Sequence, residues 1–210
     1  MEDLLGIFIG IGLSAACGFR IFVPLLGISI ASMTGHVELM SGFEWIGSPL
    51  ATTAFAVATI LEVAAYYIPA VDNFMDTIES PAAIVAGTII TASVIGDIHP
   101  FLRWSLALIA GGGTAGIVQG GTALIRATSL VTTGGGGNPI ISTVELASSA
   151  FATIFALIFP FAAAIIAILL VIYISKKLIR FFLKKKKGNI DKPVISETEK
   201  NEAEEAEIDY

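Results

Sequence analysis

Cysteine, histidine and early positive charge are all scarce in this chain. A single cysteine, Cys17, occurs in 210 residues, with two histidines, His36 and His99. One thiol excludes an internal disulfide and a thiol-based metal cluster, and the histidines stand in separate loop stretches without ligand spacing. Nine of the twelve basic residues fall between Lys176 and Lys200, so little positive charge precedes that region and no nucleic-acid partner is expected. Ten-residue alternation of polar and apolar residues does not recur, which excludes a transmembrane barrel. No Lys-Ser or Lys-Thr follows the glycines between Gly111 and Gly121, so they do not form a phosphate loop. The small residues Ala15 and Ala16 before Cys17 suggest a lipoprotein signal, but Met1-Glu2-Asp3 has no basic residue and Ser14 stands where leucine is usual.

Apolar residues are abundant. They make up 55% of the chain, and the mean hydropathy is +0.83. Six hydrophobic blocks are marked off by punctuation: about Leu4 to Met33, Pro49 to Ile68, Pro81 to Gly96, Phe101 to Thr133, Pro139 to Phe159 and Phe161 to Leu183. A span needs about 20 apolar helical residues, and helix satisfies every backbone polar group within its own segment. The sequence therefore predicts an all-α membrane protein with about six transmembrane segments. Pro49, Pro81 and Pro139 suit the first turns of helices, and Pro69, Pro100 and Pro160 are read as closing them. Leu4 to Met33 and Trp104 to Thr133 run about 45 Å each as straight helix. Each therefore tilts steeply, doubles back or breaks, and a break is favoured, in the first where Gly18 and Pro24 bracket Arg20 and in the second at its glycines, for which close helix packing is the more ordinary reading.

These two long blocks align at an offset of 100 residues. Gly12, Ala15, Ser29 and Gly35 face Gly112, Ala115, Ser129 and Gly135. Three blocks per half would make the second half an inverted copy, as in many transporters. The expected organisation is a membrane domain over 1–183, with repeats at about 4–96 and 101–183, and a disordered tail over 184–210. That tail is basic and then acidic, so the net charge of -6 says nothing about a substrate. Basic residues directly after the last block place both termini in the cytoplasm by the positive-inside rule. Trp45 and Trp104 then fall near the outer interface, Tyr66 and Tyr67 near the inner one.

Away from the block ends, four charged residues sit within otherwise apolar stretches: Arg20, Glu62, Arg126 and Glu145. An ionisable group at membrane depth costs roughly 2.5 to 3.5 kcal/mol on insertion scales and marks a functional site or a paired contact. Counting along the helices puts Glu62, Arg126 and Glu145 at roughly 10 Å from the inner surface, with Arg20 nearer the middle. One arginine does not neutralise two carboxylates unless Arg20 reaches the second or one glutamate is protonated, and a buried protonated acid is what a proton-coupled carrier needs. The bland reading is that the charges fix helix packing. Asp72, Asp76 and Glu79 form a stripe at the i, i+4 and i+7 positions. They are candidate ligands for a divalent cation, although the solvated face of an interfacial helix is the preferred reading.

Several motifs together resemble a family. They are the run Ala15-Ala16-Cys17-Gly18-Phe19-Arg20 with Pro24, Glu62 followed by Ile68-Pro69-Ala70-Val71-Asp72 and Asp76, then Pro81-Ala82, Arg126 and Glu145. The chain is similar in these to the bacterial membrane proteins grouped as domain of unknown function 4126. The resemblance implies a bacterial inner membrane and marks Arg20, Glu62, Asp72, Asp76, Arg126 and Glu145 as characteristic polar positions. It supplies no activity. The expected function is a small transporter or channel for a small solute or ion, without a cofactor and more naturally not an enzyme. The alternatives are an intramembrane enzyme on a lipid or polyprenyl phosphate, with Asp72 and Asp76 holding a metal, and a non-catalytic scaffold.

Overall fold

The break in the first block is built from three local features. Gly18 ends α1 (Glu2–Cys17), and Pro24 lies in the first turn of α2 (Phe22–Met33), where the backbone N–H groups have no partner within the helix. The two N–H groups left over at the start of α2, those of Ile21 and Phe22, donate to the carboxylate of Glu62 at 2.8 and 3.2 Å. Gly18 is required for a further reason. A Cβ there would stand 2.4 Å from Val118 Cβ and 2.7 Å from the Ala115 carbonyl, so the chain approaches its neighbour closely only without a side chain.

A computed structural model describes residues 2–96, 98–134 and 136–190. After α2 come a short 3₁₀ turn (Glu44–Gly47) and α3 (Pro49–Ala65), whose Ser48 caps the helix by accepting from Ala51 N at 3.2 Å. Next are α4 (Pro69–Val94) and α5 (Pro100–Leu106), which passes through a π-helical stretch (Ala107–Gly112) into α6 (Gly113–Thr133). Finally come α7 (Asn138–Ile158) and α8 (Pro160–Ile190). The protein is all-α. Thr77–Val94, Pro100–Thr133, Asn138–Ile158 and Pro160–Phe181 are long and apolar enough to cross a membrane, and α1, α2 and α3 are shorter apolar helices.

Three expectations are corrected. The fourth block does not break: Pro100–Thr133 is one helical run of 34 residues that absorbs its glycines in the π stretch, a form common as a single turn within helices. Those glycines serve contact. A Cβ on Gly111 would meet the Gly87 carbonyl at 2.5 Å, and one on Gly87 the Gly111 carbonyl at 2.9 Å, so two backbones touch where this stretch crosses α4. Pro81 does not open a helix but lies inside α4, since neighbouring helices tolerate the lost backbone bond within a membrane bundle. Pro69, Pro100 and Pro160 each begin the following helix, because a missing N–H costs nothing in a first turn.

The interior is small-sided and partly polar, and the exterior is greasy. Leu13, Ala16 and Cys17 of α1 are wholly buried, as is Ser14, whose hydroxyl lies 2.9 Å from both the Gly87 carbonyl and Thr91 Oγ1. In α7 the buried positions are Asn138, Ser142, Glu145, Ser149, Thr153 and Ala156, a helical stripe. Ile140, Val144, Phe151, Ile154 and Ile158 of the same helix are exposed. A soluble protein rarely shows so large an apolar exterior. The chain is a multi-pass membrane protein whose apolar faces suit lipid.

The chain divides into two compact units, Met1–Ile174 and Ser175–Tyr210. The second is helical to Ile190, and the acidic tail expected after Pro193 lies outside the described residues.

Candidate functional site

All four charged residues singled out from the sequence are buried. Arg20 stands in the link between α1 and α2, Glu62 near the end of α3, Arg126 in α6 and Glu145 in α7. Arg126 and Glu145 form a two-pronged pair: Arg126 Nε donates to Glu145 Oε1 at 3.0 Å and Nη2 to Oε2. Such paired forks are among the strongest charge-assisted contacts. Arg20 reaches the same carboxylate, with Nη2 3.6 Å from Glu145 Oε2. That nitrogen also donates to the carbonyl of Ser142 at 3.2 Å and to its hydroxyl.

Glu62 also holds the backbone at the helix break. Its two oxygens receive the N–H groups at the start of α2, where a negative charge is favoured by the helix dipole. The carboxylate thereby ties α3 to the break beside Arg20. It is a residue of charge and of architecture together.

Two members of the cluster were not expected. Tyr66, placed at a membrane interface by the sequence reading, is instead buried in the turn between α3 and α4. Both guanidiniums lie over its ring, with Arg20 Cζ 3.9 Å and Arg126 Cζ 3.8 Å from the centroid. A guanidinium over an aromatic face gains about 0.5 to 2 kcal/mol, most when dry, so the ring helps to hold both buried cations. Tyr67 follows the expectation for an interfacial side chain better and is half exposed.

Glu79 is the second. Because α4 is continuous, Glu79 falls in register with Ala83, Ala86 and Ile90 on its buried face. Its Oε2 accepts from Gln119 Nε2 at 3.3 Å, and its Oε1 lies 3.9 Å from Arg20 Nη1. Glu79 therefore belongs to the buried cluster and not to a solvated helix face. The side chains of its expected companions, Asp72 and Asp76, lie outside the described residues. Among the described residues no three His, Cys, Asp or Glu side chains come together as metal ligands. The signal for Glu79 was its spacing to the small apolar residues after Pro81. Nothing in the sequence marked Tyr66 apart from Tyr67.

The site thus collects two guanidiniums, three carboxylates, a phenol ring, Gln119 and Ser142 from the α1–α2 link, α3, α4, α6 and α7. Formal charge runs two positive against three negative. Two clefts, of about 500 Å³ beside His36 and Phe159 and about 230 Å³ beside Phe19 and Phe151, are lined by other residues. His99 serves locally, accepting from Phe101 N at the start of α5.

The profile of the family described as Domain of unknown function (DUF4126) matches residues 7–180. The chain belongs to this family. Both arginines and all three buried glutamates of the DUF4126 site lie within the matched stretch. No curated protein and no solved structure matches the chain.

Proposed function

We propose that this DUF4126 protein is a small transporter or channel for a small solute or ion, with Arg20, Glu62, Arg126 and Glu145 at its site. The observation that carries the reading is the burial of two arginines and three glutamates at one junction of five elements, beside a break between two apolar helices. Such charges are costly in lipid and mark solute or ion pathways, and broken helices offer backbone groups to ions where they line a cavity. Arg20 is the residue nearest the break, and its Nε and Nη1 make no hydrogen bond. An arginine with unengaged donors suits an anionic or polar group passing through.

The same reading arranges the chain as two inverted halves with both termini on the cytoplasmic side of a bacterial inner membrane. In its support, Ala15 and Ala115, a matched pair, are both buried, and the basic residues follow the last apolar span. A scaffold is the second reading, favoured by the closed fork of Arg126 on Glu145.

Osmotic swelling of proteoliposomes tests transport, with acetate, phosphate, glycine and ammonium as probes. At least one probe should enter faster than in protein-free vesicles. Arg20→Gln should abolish that excess, and the lipid-facing Ile109→Ala should keep it. Equal rates with and without protein for every probe would remove the transport reading.

A further inference from the structure

The three buried carboxylates are held in unequal ways. Each oxygen of Glu145 has a guanidinium N–H. Each oxygen of Glu62 has a backbone N–H at a helix start. Glu79 has only the neutral amide of Gln119 as a donor on Oε2 and an interaction with Tyr66. Its Oε1 accepts no hydrogen bond, and the nearest guanidinium nitrogen, at 3.9 Å, is beyond hydrogen-bond distance.

The carboxyl groups of Glu62 and Glu79 also lie within hydrogen-bonding reach of one another. Two ionised carboxylates are both acceptors and repel, so a close pair is stable only with a proton between them. The groups facing Glu79 from the surrounding elements settle which partner holds it. Arg20 approaches from the link after α1, Glu62 and Tyr66 from α3 and its turn, Arg126 and Gln119 from α6, and Glu145 through Arg20 from α7, while Cys17 of α1 lies near Glu62. Two backbone donors favour the anion on Glu62. On Glu79 it is favoured by Tyr66 and by the charges of Arg20, at 3.9 Å, and Arg126, with no backbone N–H among the described hydrogen bonds.

We infer that Glu62 and Glu79 form a proton-binding site, in which Glu79 carries the proton on Oε1 and donates it to the carboxylate of Glu62. Binding adds one proton to one carboxylate oxygen and consumes nothing else. The charges then balance, two guanidiniums against two carboxylates. Loss of the proton leaves Glu79 charged, repels it from Glu62 and draws it toward Arg20 Nη1, whose donors are otherwise unengaged. Arg20 is thereby the group through which protonation of Glu79 reaches a passing solute. This last step rests on the transport reading, while the proton site itself does not.

Infrared spectroscopy of the full chain in lipid nanodiscs tests the site directly. The wild type should show a carbonyl stretch of a protonated carboxylic acid at neutral pH that bleaches as pH is raised. Glu79→Gln should remove that band, and Glu38→Gln, at an exposed acid outside the cluster, should keep it. Glu79→Asp should shift it, which decides the matter if the Gln variant does not fold. A band unchanged in both Glu79 variants, or no such band in the wild type, overturns the inference. Solute entry with no protonated-acid band would sink the proton site and leave transport standing. The band without entry of any probe would do the reverse.

Discussion

Tyr66 shows how a single side chain organises charge. Its ring lies under both Arg20 and Arg126, and each cation is also anchored elsewhere, Arg20 on Ser142 and Arg126 on Glu145. The aromatic ring makes both contacts, so Tyr66→Phe should stay within about 1 kcal/mol of the wild type, the worth of one hydrogen bond. Tyr66→Leu loses both ring contacts, about 1 to 4 kcal/mol together. Equilibrium unfolding in mixed micelles measures the difference. Leu and Phe variants of equal stability would show that the ring contacts contribute nothing.

At the scale of elements, the chain codes a break in one place and a bend in another with the same residue type. Gly18 and Pro24 bracket a real interruption because Glu62 takes up the freed N–H groups across it. No carboxylate serves the glycines of Ala107–Gly112, and the run stays helical as a π stretch pressed on α4. That is why the first break was legible in the sequence while the favoured second break is absent and the close-packing reading of its glycines holds: glycine marks close approach as readily as termination, and only the partner decides which. Charge inside an apolar block was a sound guide to Arg20, Glu62, Arg126 and Glu145. It failed for Glu79 because Pro81 seemed to start a helix, which cut Glu79 off from the face it shares with Ala83 and Ala86. Gly18→Ala tests the close approach. Its Cβ would stand 2.4 Å from Val118 Cβ, and overpacking of that kind costs about 1 to 3 kcal/mol. Adding Val118→Gly, which removes that Cβ, should restore part of the loss, not all, because the Ala115 carbonyl is also within 2.7 Å and glycine weakens a helix interior. Thermal unfolding of the detergent-solubilised variants gives the answer, and a Gly18→Ala protein as stable as the wild type would show that the contact has slack.

For the whole molecule the question is whether the buried charges do more than hold helices together. Removing one member of a buried pair leaves an uncompensated charge and costs about 3 to 5 kcal/mol, whereas replacing both with apolar residues of similar volume is often neutral or stabilising by about 1 to 4 kcal/mol. Arg126→Met strands Glu145, though Arg20 at 3.6 Å softens the loss. Glu145→Leu strands Arg126 against the Tyr66 ring with no carboxylate in its fork. Each single variant should therefore be clearly destabilised, Glu145→Leu more than Arg126→Met, and the double variant should unfold close to the wild-type temperature. Stability recovered in this way separates the two readings of the site, because a restored bundle that still fails to pass acetate, phosphate, glycine or ammonium has lost chemistry and not shape. A double variant that folds like the wild type and keeps its solute entry would mean that the pair serves packing alone.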